Sequence, residues 1–188
     1  MSLTNLLIPT YSQMLKTLSG WLDKAEAQMG GDAANALLSA RLAPDMFPLS
    51  TQIRFACVQA WEGVFRLKGE EFPMSIQALL DEGRNAEENP GSIASAKARI
   101  DETLALLDDL APDALSTDPQ SPIEHALPMG IIFDLTAEQY ARDWTLPQFY
   151  FHVMTSYAIL RNQGVELGKA DYIAHMFPYI RPGTMPTS

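Results

Sequence analysis

Cysteine is almost absent: Cys57 is the single one in 188 residues. One thiol cannot form an internal disulfide, so nothing ties the fold to an oxidising compartment. Positive charge is scarce as well, with 13 Lys and Arg against 23 Asp and Glu and a formal net charge of −10. No Lys/Arg cluster reverses that sign locally, which weighs against nucleic acid and against an anionic membrane surface as partners. No apolar run reaches the ~18–20 residues of a membrane span. The opening MSLTNLLIPTYSQMLK lacks the basic, apolar and small-residue segments of a secretory signal, so the expected location is the cytoplasm. Dinucleotide-binding, phosphate-loop, zinc-protease, serine-hydrolase and thiol-redox signatures are all missing. No reaction is legible from a motif.

What the chain does have is apolar material at helical spacing. Hydrophobic residues make up 47% of it, including three Trp, six Tyr and eight Phe, enough for one domain over residues 1–188 with a proper core. Steps of three and four among Leu3, Leu7, Tyr11, Met14, Leu15, Leu18 and Leu22 predict a first helix, closed by Gly30-Gly31. Pro9 moves its expected start to about Thr10, and Ala33 to Ser39 reads as a short helical turn. A second helix is expected from Asp45 as N-cap, with Pro48 in its first turn, to Lys68. Its stripe is Met46, Leu49, Ile53, Cys57, Ala60, Val64 and Leu67.

Residues 70–91 read as a connection with at most a helical turn around 75–80. Ile93, Ala96, Ile100, Leu104, Leu107 and Leu110 predict a third helix, stopped by Pro112. After a turn-rich stretch at 116–122, His125 to Phe133 reads as a short β-hairpin around Met129-Gly130. Thr136 and Gln139 form a capping box, with Leu135 and Tyr140 as its hydrophobic staple. The helix that starts there is expected to kink at Pro147 and run to Asn162. From about 165 the chain, with Pro178, Pro182 and Pro186, reads as a mainly irregular tail. The fold class is all-α, a four-helix bundle with long connections.

Two segments, ARLAPDMFPLSTQIRFAC and FYFHVMTSYAILRNQGVELGKADY, resemble a small bacterial family, a domain of unknown function within the DinB/YfiT-like four-helix superfamily, whose members are regarded as metalloenzymes. The resemblance spans nearly the whole chain. It implies an up-down-down-up bundle and frequent homodimers. It also implies a metal triad of one histidine on helix two and a pair four residues apart on the last helix. His152 stands near the start of that pair, but four residues on is Ser156, and helix two contains no histidine. Two of three ligands are missing, so the metal site is expected to be degenerate, and no activity carries over.

His152 and Ser156 share one helical ridge, flanked by Phe149, Val153 and Leu160. In an apolar pocket His152 would be a neutral ligand or general base; otherwise it is a core histidine with one hydrogen bond. Cys57 could offer a thiolate to a divalent transition metal beside His152, with Asp45 or Gln52 completing the set, or could simply pack. His125 and His175 are expected at the surface. Three functional readings result. The first is a small-molecule pocket lined by His152, Ser156, Cys57, Gln52 and Tyr157. The second is a metal-free dimerisation or partner-binding module, and the third a metal-dependent hydrolase or transferase.

Overall fold

A computed structural model describes residues 2–115 and 117–184. Its elements are α1 (Leu3–Met29), α2 (Gly31–Ala36), α3 (Leu49–Lys68), α4 (Met74–Arg84), α5 (Ile93–Asp108), β1 (Pro122–Ala126), β2 (Ile132–Thr136), α6 (Ala137–Gln139), α7 (Leu146–Asn162) and α8 (Lys169–Tyr172). Four of the helices, α1, α3, α5 and α7, form the bundle. Residue pairs across their seams set the directions. Tyr11 meets Thr145 and Phe149 while Trp21 meets Tyr157, so α1 and α7 run parallel. Gln52 meets His152 and Gln59 meets Thr145, so α3 runs against α7. Lys97, near the start of α5, pairs with Asp23, near the end of α1. Trp61, in the second half of α3, meets Thr103, in the second half of α5. The order is therefore up-down-down-up, with α1 beside α5 and α7, and α3 beside the same two.

The apolar stripes face the common centre. Leu7, Tyr11, Met14, Leu18, Ile53, Ala60, Val64, Ile100, Phe149 and Val153 are all buried. Gly63 sits at a close helix–helix approach. A Cβ there would stand 2.6 Å from Tyr11 Oη and 2.8 Å from Thr145 Oγ1, so a glycine is what lets α3 come this close.

The structure corrects several sequence expectations. The first helix starts at Leu3, not near Thr10: Ser2 caps it by accepting from the Asn5 N–H at 3.2 Å, and Pro9 is carried inside. A proline there removes one intrahelical hydrogen bond, which a 27-residue helix packed on three neighbours can bear. Asp45 is not the cap of α3. Pro48 holds that position, and its extended backbone begins the helix at Leu49. The connection at 70–91 carries a full helix, α4, because Ile76, Leu79 and Gly83 give it a buried face.

The hairpin expected around Met129-Gly130 is present, with His125 opposite Phe133. Pro128 lies in its turn, outside both strands. The capping box is also present, Thr136 Oγ1 accepting from the Gln139 N–H while the Gln139 side chain accepts from the Thr136 N–H. The expected kink at Pro147 takes a particular form: Tyr140–Thr145 is a π turn that runs into α7, with the Leu146 N–H reaching back to the Ala141 carbonyl. Pro147 has no N–H and its ring presses on the carbonyl four residues back, and widening the preceding turn relieves both. The tail is more ordered than expected. It forms α8 and a 3-10 stretch at Ala174–Tyr179, and Asp171 pairs with Lys24 of α1 at 2.5 Å. Ser116 and Pro186, parts of the expected loop and tail, lie outside the described residues. Among the described residues, no helix is long and apolar enough to cross a membrane.

Candidate functional site

Beside its apolar stripe, α3 carries a second one. Gln52, Phe55, Gln59, Glu62 and Arg66 follow one another at steps of three and four, so they share a face. That face meets His152 and Phe151 of α7, Trp144 of the π turn, Arg84 of α4, and the hairpin at His125–Pro128. Together these elements enclose an open cavity of about 610 Å³. The hairpin is held there by Arg66, whose Nη1 donates to the Glu124 carbonyl at 3.1 Å.

His152 is buried, and its Nδ1 lies 2.8 Å from Gln52 Oε1. The tautomer follows from the amide. Gln52 Nε2 donates to the Phe47 carbonyl at 3.2 Å, so its oxygen faces the imidazole and Nδ1 must be the donor. The lone pair therefore sits on Nε2, which has no protein partner among the described residues and is left for the cavity. Burial lowers the His152 pKa to about 4, keeping the ring neutral.

His125, expected at the surface, is buried. Its ring lies 4.4 Å from that of Trp144 and 5.5 Å from that of Tyr140. Alternation along β1 explains this, since His125 shares the strand's inward face with Ile123 and Phe133 covers it from β2. Burial, with Arg66 nearby, lowers its pKa to about 4. Glu62 shifts the other way: burial raises its carboxyl, and Arg66 and Arg84 only partly offset that.

The polar atoms here are poorly satisfied. Gln59 Oε1, Arg66 Nε, both ring nitrogens of His125 and the Tyr140 hydroxyl are buried with no hydrogen-bond partner in the protein. Burying such groups without a partner is costly, and native proteins leave few of them. Two further orphans, Trp21 Nε1 and His175 Nδ1, occur together at a different recess of about 400 Å³ on α1. His175 is thus half-buried against α1, at a recess separate from the cavity that His152 lines.

Of the residues singled out from sequence, the structure brings Gln52 to His152. Ser156 is fully buried and turned back on its own helix, its hydroxyl donating to the His152 carbonyl at 2.9 Å. Cys57 lies on the opposite face of α3, toward α5. Burial pushes its thiol up to about 12, with Thr103 beside it partly offsetting this. Tyr157 packs on Trp21 and Tyr172 at the α1 side. Neither Cys57 nor Tyr157 reaches the cavity, because each is displaced around its helix from Gln52 or His152. Sequence reading missed Gln59, Glu62, Arg66 and Arg84. The detectable signal was the second stripe of α3, which sets Phe55 and two glutamines among its charged residues.

A metal fits this donor set badly. The helix-two group that meets His152 is the Gln52 amide, which binds hydrogen at Nδ1. Ser156 points away, and no group of three His, Cys, Asp or Glu side chains that could hold an ion occurs among the described residues.

Residues 3–173 match the family described as a domain of unknown function, DUF1993. The chain belongs to that family. Among solved structures it is similar to one described as a DinB family member protein from Shewanella denitrificans. That similarity is 31% in sequence with a TM-score of 0.72, covering 98% of this chain and 96% of that one. No curated protein matches. The DUF1993 chain described here is thus DinB-like in fold.

Proposed function

We propose that this protein is a cytoplasmic binder of a small organic molecule, held without a metal in the cavity between α3, α7, α4 and the hairpin. The observation that carries this reading is a coincidence of place. Three of the side chains on the cavity wall, Gln59, Arg66 and His125, are also ones with buried atoms lacking a partner. A cavity of this size, walled by aromatic rings with a few convergent polar groups, has the form of a ligand site. His152 Nε2 adds a fixed, neutral acceptor at its edge.

The test is thermal stabilisation by a panel of small aromatic acids, amides, amines and phenols. It is run on the wild type and on Ala126→Trp, which fills the mouth from an exposed strand position. At least one class should raise the wild-type melting temperature, the variant should lose that shift while keeping its helical spectrum, and a chelator should change neither result. A panel that leaves the wild type unmoved would end the reading, and a shift abolished by the chelator would replace it with a metal-dependent one.

A second reading, a homodimer formed over the mouth, has its own support. Phe47, Phe151, Met154, Met129, Ile131 and Ile132 are exposed apolar residues on the elements that frame the cavity, a clustering typical of interaction surfaces. Phe151→Asp should then convert a dimer to a monomer in light scattering, whereas a wild-type monomer would remove this reading.

A further inference from the structure

The chemistry of the bound molecule can be taken one step further, on the basis of that pocket reading. Two guanidinium groups, of Arg66 and Arg84, stand on the cavity wall. In a chain with 23 acidic side chains against 13 cationic ones, arginines are easily neutralised, and four outside the cavity are, Arg142 by Asp143 among them, although Arg161 and Arg181 form no ion pair among the described residues. Arg54 and Arg99 share Glu82, and Arg41 meets Glu87 at 3.1 Å. The cavity differs. Arg66 has no carboxylate within ion-pair distance among the described residues; it spends Nη1 on a backbone carbonyl, and its buried Nε has no acceptor. Arg84 has one loose contact, 3.8 Å to Asp81. Glu62 is the sole carboxylate on this wall, and it forms no ion pair with either. A local excess of positive charge thus faces a partly desolvated space inside a protein of net charge −10.

We propose that the ligand is a small organic carboxylate with an aromatic or bulky apolar body. Its carboxylate would lie on Arg66 and Arg84, with the body against Phe55, Trp144 and Phe151. Guanidinium is the side-chain group best matched to a carboxylate, because its planar fork donates two parallel hydrogen bonds. Away from bulk water that pairing is stronger than at the surface. The free acceptors at His152 Nε2 and Gln59 Oε1 then favour a body that carries a hydroxyl or an N–H.

The experiment compares three probes with one body and different heads: naphthylacetate, naphthylacetamide and naphthylethylammonium. Binding is read by calorimetry on the wild type, Arg84→Gln and Arg66→Lys. Arg84 is half exposed on the last turn of α4, so its replacement should not disturb folding. The expected result is preference for the carboxylate, lost by about tenfold or more in Arg84→Gln, the scale of one charge-assisted hydrogen bond, with the amide unaffected. Arg66→Lys keeps the charge and should lose less. Equal binding of all three heads would overturn the carboxylate assignment and leave the pocket reading intact, as would preference for the ammonium. A carboxylate preference indifferent to Arg84 would also overturn it. Binding of none of the three would count against both.

Discussion

The two sides of α3 treat buried polar groups in opposite ways. Toward α4 and α5, Arg54 is almost fully enclosed, yet each of its nitrogens has a role. Nε donates to Glu82 at 2.6 Å, Nη2 lies 2.6 Å from the same carboxylate, and Nη1 donates to Ser50 Oγ at 2.8 Å. Glu82 accepts again from Arg99, and Trp61 Nε1 donates to Thr103 Oγ1 at 2.9 Å. Toward α7 and the hairpin, Gln59, Arg66 and His125 are enclosed with atoms unpaired. The first side is a completed network whose purpose is structural. The second is incomplete from the protein's own resources, as expected where a ligand or ordered water supplies the missing partners.

If the first side is structural, breaking it should cost the most. Glu82→Gln leaves the guanidinium of Arg54 buried with no countercharge, and a loss of about 3 kcal/mol is expected by urea denaturation. The Glu82 carboxyl bears this out electrostatically: burial would push it up, but Arg54 and Arg99 outweigh that and hold it below the usual carboxylate range. A change under about 0.5 kcal/mol would mean that water solvates Arg54, and the contrast between the two sides would weaken.

The histidines sharpen the comparison through pH. His152 titrates at about 4 in the folded protein against about 6.5 in an unfolded chain. Between those values the unfolded chain takes the proton first. The stability contributed by neutral His152 is therefore complete above about pH 6.5 and lost as pH falls toward 4, amounting to about 3 kcal/mol. His125 acts in the same direction. Glu62, whose carboxyl is raised, acts in the opposite one, because it gains its proton more readily when folded. Comparing wild type with His152→Phe isolates the imidazole. The variant's stability should be flatter across that window, and identical slopes would place His152 in contact with bulk water.

Much of this architecture was readable beforehand, for identifiable reasons. The capping box at Thr136, the hairpin around Gly130 and the stripes of α1, α3 and α5 are local patterns, decided by residues within a few positions of one another. The start of α1 and the existence of α4 were not readable, because tertiary burial overrode a proline in one case and a polar composition in the other. The candidate site was legible only in part. Gln52 and His152 were named on helices whose heights could be guessed. Cys57 and Tyr157 were named alongside them, but rotation about a helix axis decides which side a residue faces, and height alone does not give it. His125 was out of reach, since only the folding of the hairpin onto Arg66 and Trp144 buries it.

The smallest expected effect is also the most decisive one. Thr103→Val removes the acceptor of Trp61 Nε1 on the completed side and should cost about 1 kcal/mol. Gln59→Met makes a comparable change on the other side, where the amide oxygen has no partner to lose. Thr145 is unaffected by it, because Thr145 bonds the Gln59 backbone carbonyl and not the side chain. The ligand-free protein should be unchanged or more stable by up to about 0.5 kcal/mol, since an unsatisfied buried group is replaced by an apolar one of similar shape. A gain of stability together with weaker binding is what a site kept for function produces. A loss near that of Thr103→Val would instead mean that the Gln59 side chain is held by ordered water as part of the fold, and the two faces of α3 would then differ only in which molecule completes them.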